Sequence, residues 1–181
     1  ISALVNNAGF GRSEFFADTS LPEQLDMIEL NIAALTHLTH LFLQPMLQRG
    51  EGKILNVAST AAFQPGPFMS VYYASKAYVY SFSYALAEEL SDRGIVVTAL
   101  CPGPTETPFH QRAGRSHSKK VLNLWMMNAP QVAEAGIRGL MRGQRIVIPG
   151  LLNKLGFLFA KILPIKIPTR ITRKVIGGKS K

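Results

Sequence analysis

The stretch 95-IVVTALCPG-103 decides the fold class. Its first seven residues are apolar except Thr98, and no polar positions alternate with the apolar ones. A strand of that composition is buried on both faces, as inside a parallel sheet. Working outward, Gly94 is the stop signal of a helix predicted over 71–92. Before that helix, 60–69 holds Pro65, Gly66 and Pro67 and reads as a loop, and 53-KILNVAS-59 reads as a second strand. Residues 22–48 read as one long helix, with Pro22 suited to a first helical position and acids in the early turns. Ser2 to Val5 form a short strand, followed by an NNAG turn. On the other side, 104–130 reads as irregular or partly helical, 131–142 as a helix, 145-RIVIPG-150 as the last strand and 151–163 as an apolar helix with lysines. Strands alternating with helices argue for an α/β fold, a doubly wound parallel sheet with helical crossovers.

Composition narrows the classes. The chain has 181 residues, about one domain at ~150 residues per domain. Apolar residues make up 47% and charged residues 17%, which suits a globular core and excludes wholesale disorder. A lone cysteine, Cys101, excludes an internal disulfide and fits a cytoplasmic, reducing setting. In a buried strand it reads as an inert apolar residue. No apolar run reaches the ~18–20 residues of a spanning helix. No zinc spacing, P-loop or nucleic-acid motif is present, and no metal site is expected. His37 and His40 read as helix-packing or interface histidines.

Charge is split along the chain. Residues 1–107 hold 5 Lys/Arg and 10 Asp/Glu, whereas residues 108–181 hold 15 Lys/Arg and 1 Asp/Glu. The basic third therefore points to an anionic partner of its own, such as a membrane surface, a phosphate-bearing substrate or nucleic acid, or to a solvated basic tail.

In open α/β sheets ligands bind beyond the C-terminal ends of the strands. NNAG, Ser59 and 102-PGPTET-107 fall there. Just after Ser59, Tyr72 and Lys76 stand at i,i+4 on one helix face. A free tyrosine has a pKa near ~10, and a neighbouring ammonium favours its phenolate and lowers that value. A tyrosine so tuned exchanges a proton with a carbonyl or alcohol oxygen. A hydroxyl at Ser59 can hydrogen-bond the same oxygen. Tyr73 and Tyr80 are also within reach of Lys76, and Thr60 and Ser75 are nearby hydroxyls that read as structural.

The set NNAG, Asn31 in a long helix, Ser59, Tyr72-x-x-x-Lys76 and P-G-x-x-x-T resembles the short-chain dehydrogenase/reductase family, in order and approximate spacing across essentially the whole chain. The resemblance selects Tyr72 as the acid/base. It implies a Rossmann-like fold and an NAD(P)-dependent oxidoreductase. Lys76 would hold the nicotinamide ribose and depress the tyrosine pKa, Ser59 would polarise the substrate carbonyl, and Asn31 would hold a water in a proton relay. Asn6, Ala8 and Gly9 match positions beside the adenosine side of the cofactor. Pro102, Gly103, Thr105 and Thr107 match the segment that meets the carboxamide and phosphates. Relative to the family, the chain starts at the fourth strand, so the Gly-rich turn and the residue separating NAD from NADP are not in it. The expectation is a fragment, with 1–150 a partial catalytic domain and 151–181 a basic amphipathic extension. The alternative is a truncated, non-catalytic membrane-surface or protein-binding module.

Residues 109–130 match the family's substrate-covering segment. Phe109, Leu122, Leu124, Trp125, Met126 and Met127 with Arg112, Arg115, Lys119 and Lys120 would suit a hydrophobic ketone with an anionic handle, such as a 3-oxoacyl thioester, or simply pack a lid helix. Residues 151–181 carry eight Lys/Arg, no acid and a dense apolar set. They read as an interfacial membrane contact, or as a helix against a subunit neighbour or the sheet with a disordered basic end. With 56-NVASTAAFQPGP-67, this tail is similar to the DltE-like subgroup, which favours NADP(H) over NAD(H) and resembles 3-oxoacyl-CoA reductases and 17-beta-hydroxysteroid dehydrogenases. A homo-oligomer through the 22–48 and 71–92 helices also follows from the family.

Overall fold

A computed structural model describes residues 1–114 and 126–177. Among these, strands β1 (Ala3–Asn6), β2 (Gly52–Val57), β3 (Ile95–Leu100), β4 (Thr105–Glu106), β5 (Met127–Asn128) and β6 (Ile146–Val147) alternate with helices α1 (Leu21–Ile28), α2 (Leu35–Arg49), α3 (Ser70–Glu89), α4 (Phe109–Arg112), α5 (Ala129–Met141), α6 (Leu151–Ile162) and α7 (Lys166–Ile176). The main sheet runs β1-β2-β3-β6, all parallel, and β4 pairs with β5. This is the Rossmann-like α/β architecture expected.

Strand alternation sorts the core into two layers. Ile54 and Val97 face one way and pack with Met46 of α2 and Leu86 of α3. Leu55 and Leu100 face the other way and pack with Val132 and Leu140 of α5 and Val147 of β6. Sheet edge β1 leaves Val5 exposed.

Several elements depart from the sequence reading. The single helix expected over 22–48 is α1 and α2 joined by a wide π-type turn, Glu29–Ala34. Asn31 is the cause: its buried side chain leaves the helix to bond another segment, and widened turns arise where a side chain takes such a position. Pro45 sits inside α2 without ending it. The last strand shrinks to Ile146–Val147, because Pro149 has no N–H to donate and Gly150, at φ 84°, turns the chain into α6. Beyond Pro164 the basic end, for which disorder was one reading, is helical as α7. His37 and His40 are both exposed on α2, which removes the helix-packing reading within this chain and leaves the interface reading. Arg115, Lys119, Lys120, Leu122, Leu124 and Trp125 lie outside the described residues.

Candidate active site

Parallel strands release their chain at one end of the sheet, and three exits converge there. The loop after β1 lies on α3. A Cβ added at Gly9 would stand 2.9 Å from Asn31 Oδ1 and 3.5 Å from Lys76 Nζ, and one at Gly11 would stand 2.9 Å from the Tyr72 ring. Glycine is thus required by close approach.

Asn31 holds this loop down. Its Oδ1 accepts from Phe10 N–H at 3.1 Å, while Nδ2 donates to Phe10 O at 2.9 Å and to Ser75 Oγ at 3.0 Å. Ser75 Oγ in turn donates to Tyr72 O at 2.8 Å. Both amide hydrogens of Asn31 are spent on protein groups, so any water at this position must bind elsewhere than Nδ2. Ser75 is structural, as expected.

Lys76 is buried to 6% exposure. Its Nζ donates to Val57 O at 2.7 Å and lies 5.9 Å from the centroid of the Tyr72 ring. Burial lowers its pKa to about 8, with Cys101 opposing. The Cys101 thiol is itself pushed up to about 12 by burial, against the pull of a Ser59 backbone hydrogen bond and the Lys76 charge. Cys101 is therefore a neutral thiol near pH 7, and desolvation governs Lys76.

Ser59 ends the β2 segment and caps the turn Thr60–Phe63. Its Oγ accepts from Ala61 N–H at 3.1 Å and donates to Pro102 O over a long 3.4 Å. Thr60 serves the same junction through its N–H, which donates to Pro102 O at 2.9 Å. Tyr72 packs its ring on Phe109 at 5.2 Å. The competing tyrosines face elsewhere. Tyr73 lies over Gly66. Tyr80 packs edge-on against Phe63 at 5.2 Å, and burial raises its pKa, the wrong direction for proton exchange near neutrality.

Gly9, Asn31, Tyr72 and Lys76 are thus brought together, with Ser59 and Pro102 paired at the adjoining strand ends. Asn6 is not turned to that pocket as a ligand group: its Nδ2 donates into the core, to Thr39 Oγ1 at 2.9 Å and Asn56 Oδ1 at 2.8 Å. Ala8 is exposed in the turn. Thr105 and Thr107 direct their hydroxyls to the local carbonyls of Gly103 and Thr105. Gly103 lies against Asn153, a buried residue that sequence reasoning passed over. Asn153 Nδ2 donates to Pro149 O at 2.8 Å and fastens the start of α6 beneath the 102–107 segment. Its only signal was one amide among leucines. Among the described residues no cluster of His, Cys, Asp or Glu could hold a metal.

A family model described as short chain dehydrogenase matches residues 1–120. The chain is 44% identical over 112 residues to 17-beta-hydroxysteroid dehydrogenase type 3 of Mus musculus, covering 60% of this chain and 36% of that protein. A short-chain dehydrogenase from Sphingobium yanoikuyae in complex with NADPH superposes with a TM-score of 0.77 at 31% identity, over 91% of this chain and 66% of that one. The 3-ketoacyl-(acyl-carrier-protein) reductase from Brucella melitensis complexed with NADH gives 0.73 at 26% identity, over 82% and 65%. The chain spans about a third to a half the length of the curated relatives it matches.

Proposed function

The chain belongs to the short chain dehydrogenase family, and on that premise we propose that the protein carrying it is an NAD(P)-dependent oxidoreductase working between a carbonyl and its alcohol. The observation that carries this reading is the buried Lys76 ammonium, fastened to Val57 O and facing Tyr72 beneath the Gly9–Gly11 loop. A bound nicotinamide supplies or accepts the hydride. Tyr72 gives its hydroxyl proton to the substrate oxygen in reduction and takes it back in oxidation. Lys76 favours the phenolate by its charge, and its two remaining N–H groups suit ribose hydroxyls. Ser59 hydrogen-bonds the substrate oxygen as negative charge develops. Asn31 positions the loop carrying Gly9, and would hold the relay water through a group other than Nδ2. Ala8 and Gly9 would border the adenosine side of a bound cofactor, with Asn6 fixing the turn from below, and Pro102, Gly103, Thr105 and Thr107 would flank its carboxamide and phosphates. The donor set and the glycine-lined approach fit such a cofactor.

Within this reading we favour NADP(H), supported by the NADPH of the Sphingobium relative; the Brucella reductase holds NADH. A hydrophobic ketone or 3-oxoacyl thioester is supported by the hydroxysteroid and ketoacyl names among the relatives and by Phe109, Met126 and Met127. The DltE-like subgroup, a homo-oligomer through α2 and α3, and a cytoplasmic protein touching a membrane through residues 151–181 belong to the same proposal. So does the division into a catalytic 1–150 and a basic extension.

Tyr72→Phe in the full-length protein tests it. Turnover with NADPH or NADH should fall by at least ~10²-fold, while cofactor affinity and circular dichroism stay unchanged. Retained turnover would remove Tyr72 from the role. A wild-type protein with no nucleotide affinity would instead be the non-catalytic binding module.

A further inference from the structure

Helix α6 carries its apolar face outward. Its inward positions are Asn153, Gly156, Phe157 and Ala160, whereas Leu151, Leu155, Leu158, Phe159 and Ile162 are 74%, 44%, 51%, 62% and 71% exposed. Contiguous apolar surface of this kind marks a contact site. Helix α7 extends the pattern: Ile167 and Ile171 are exposed beside a face bearing Lys166, Arg170 and Arg173. No acidic residue follows Glu134 in the chain.

Charge chooses the occupant. A second copy docked face to face here, as in a two-fold pair, would set lysines against lysines, because neither helix carries an acid. An anionic lipid surface accepts both features, with leucine and phenylalanine at the acyl boundary and the cations among the phosphates. No helix among the described residues is long and apolar enough to cross a membrane, so the contact would lie along the surface.

The same two helices pack against the segment that joins Ser59 to α3. Phe157 packs on Phe63 at 4.5 Å, in the turn that Ser59 caps. At the end of α7, a Cβ on Gly177 would stand 2.3 Å from the Phe68 ring. Phe68 lies in the loop leading into α3 and holds a left-handed φ of 68°, a conformation an aromatic residue keeps only under tertiary restraint.

We infer that α6 and α7 form an interfacial docking element that seats the protein on an anionic bilayer, and that a membrane-dissolved substrate enters the site past the 60–69 loop. Both halves deepen the reading above, the first its membrane contact and the second its catalytic site.

The test is co-sedimentation of the full-length, NADPH-loaded protein with phosphatidylglycerol-containing vesicles and with pure phosphatidylcholine vesicles, at low and high salt. Binding should require the anionic lipid and weaken with salt. Lys166→Glu with Arg170→Glu should lower vesicle affinity at least ~tenfold, and Leu155→Glu with Phe159→Glu should abolish binding. Both variants should keep the wild-type circular dichroism and the wild-type rate on a water-soluble ketone, but lose the advantage for a ketone dissolved in the bilayer. Tyr72→Phe should bind vesicles like the wild type, which separates failure of docking from failure of catalysis. Docking is overturned by equal binding to both vesicle types, by no binding, or by a Leu155→Glu, Phe159→Glu change that only splits a dimer. If the bilayer ketone gains no rate advantage in the wild type, the substrate route is overturned. Should the apolar variant misfold, the exposed cation variant decides alone.

Discussion

Replacing Lys76 by methionine should remove catalysis and yet stabilise the fold at neutral pH. Lowering a lysine from 10.5 to about 8 corresponds to about 3 kcal/mol held against the buried ammonium, at about 1.4 kcal/mol per tenfold change. Methionine fills nearly the same volume without charge. The loss is the hydrogen bond to Val57 O at 2.7 Å, and an orphaned carbonyl costs about 1–3 kcal/mol. Lys76→Met should therefore gain up to about 2 kcal/mol at pH 7. The pH dependence has a definite sign. Between about 8 and 10.5 the unfolded chain keeps a proton that the folded one releases, so the wild type gains stability as pH rises. The variant lacks this group, so its advantage should shrink above about pH 8 and reverse by roughly pH 10. Urea unfolding of both full-length proteins from pH 7 to pH 10 reads the difference, in which every other titrating group cancels. A difference constant across that range, or a variant less stable at pH 7, would refute the reasoning that a buried cation is kept at the expense of stability.

Two further outcomes follow from the same site. With its thiol pushed up to about 12 by burial, Cys101 should resist iodoacetamide at pH 8 in the native protein and react only as urea unfolds it; rapid native labelling would contradict its burial. Asn31→Ala removes three hydrogen bonds and orphans both backbone groups of Phe10, so stability should fall by about 2–4 kcal/mol and hydrogen exchange at the Phe10 amide should accelerate. A loss under about 0.5 kcal/mol would mean that the loop is held by something else.

Much of the fold was legible because burial leaves a compositional trace. The apolar run at 95–101 and the Pro/Gly punctuation at 65–67 and 94 located strand, loop and helix end to within a few residues. Tyr72 and Lys76 were legible because helical spacing alone puts them on one face. What escaped was set by side-chain hydrogen bonds between distant segments. Nothing local marks Asn31 as a residue that widens its helix, because its partners are 21 and 44 positions away. The family resemblance put Asn6 beside the cofactor, yet the strand's alternation sends its amide into the core. Asn153 is one amide in an apolar run, and nothing local marks it as buried. The helix at 166–176 was missed because basic residues and prolines obscure its period.

The polar core explains how α3 keeps the phase on which the site depends. Apolar contacts between a helix and a sheet are non-directional and tolerate a slip. Hydrogen bonds do not. A buried ladder runs from Thr39 Oγ1 through Asn6 and Asn56 to Ser83 Oγ, which donates back to Val79 O at 2.6 Å. Ser83 follows Lys76 by seven residues, about two helical turns, and so lies on the same face. A one-residue slip of α3 would turn that face by about 100°, leave Asn56 without its acceptor at 2.9 Å and carry Lys76 away from Val57. Unpaired amides in the core cost more than the same atoms would if they had been apolar from the start. The ladder thus penalises the wrong register rather than deepening the right one, and the beneficiary is a lysine two turns away that must meet one carbonyl and one phenol ring.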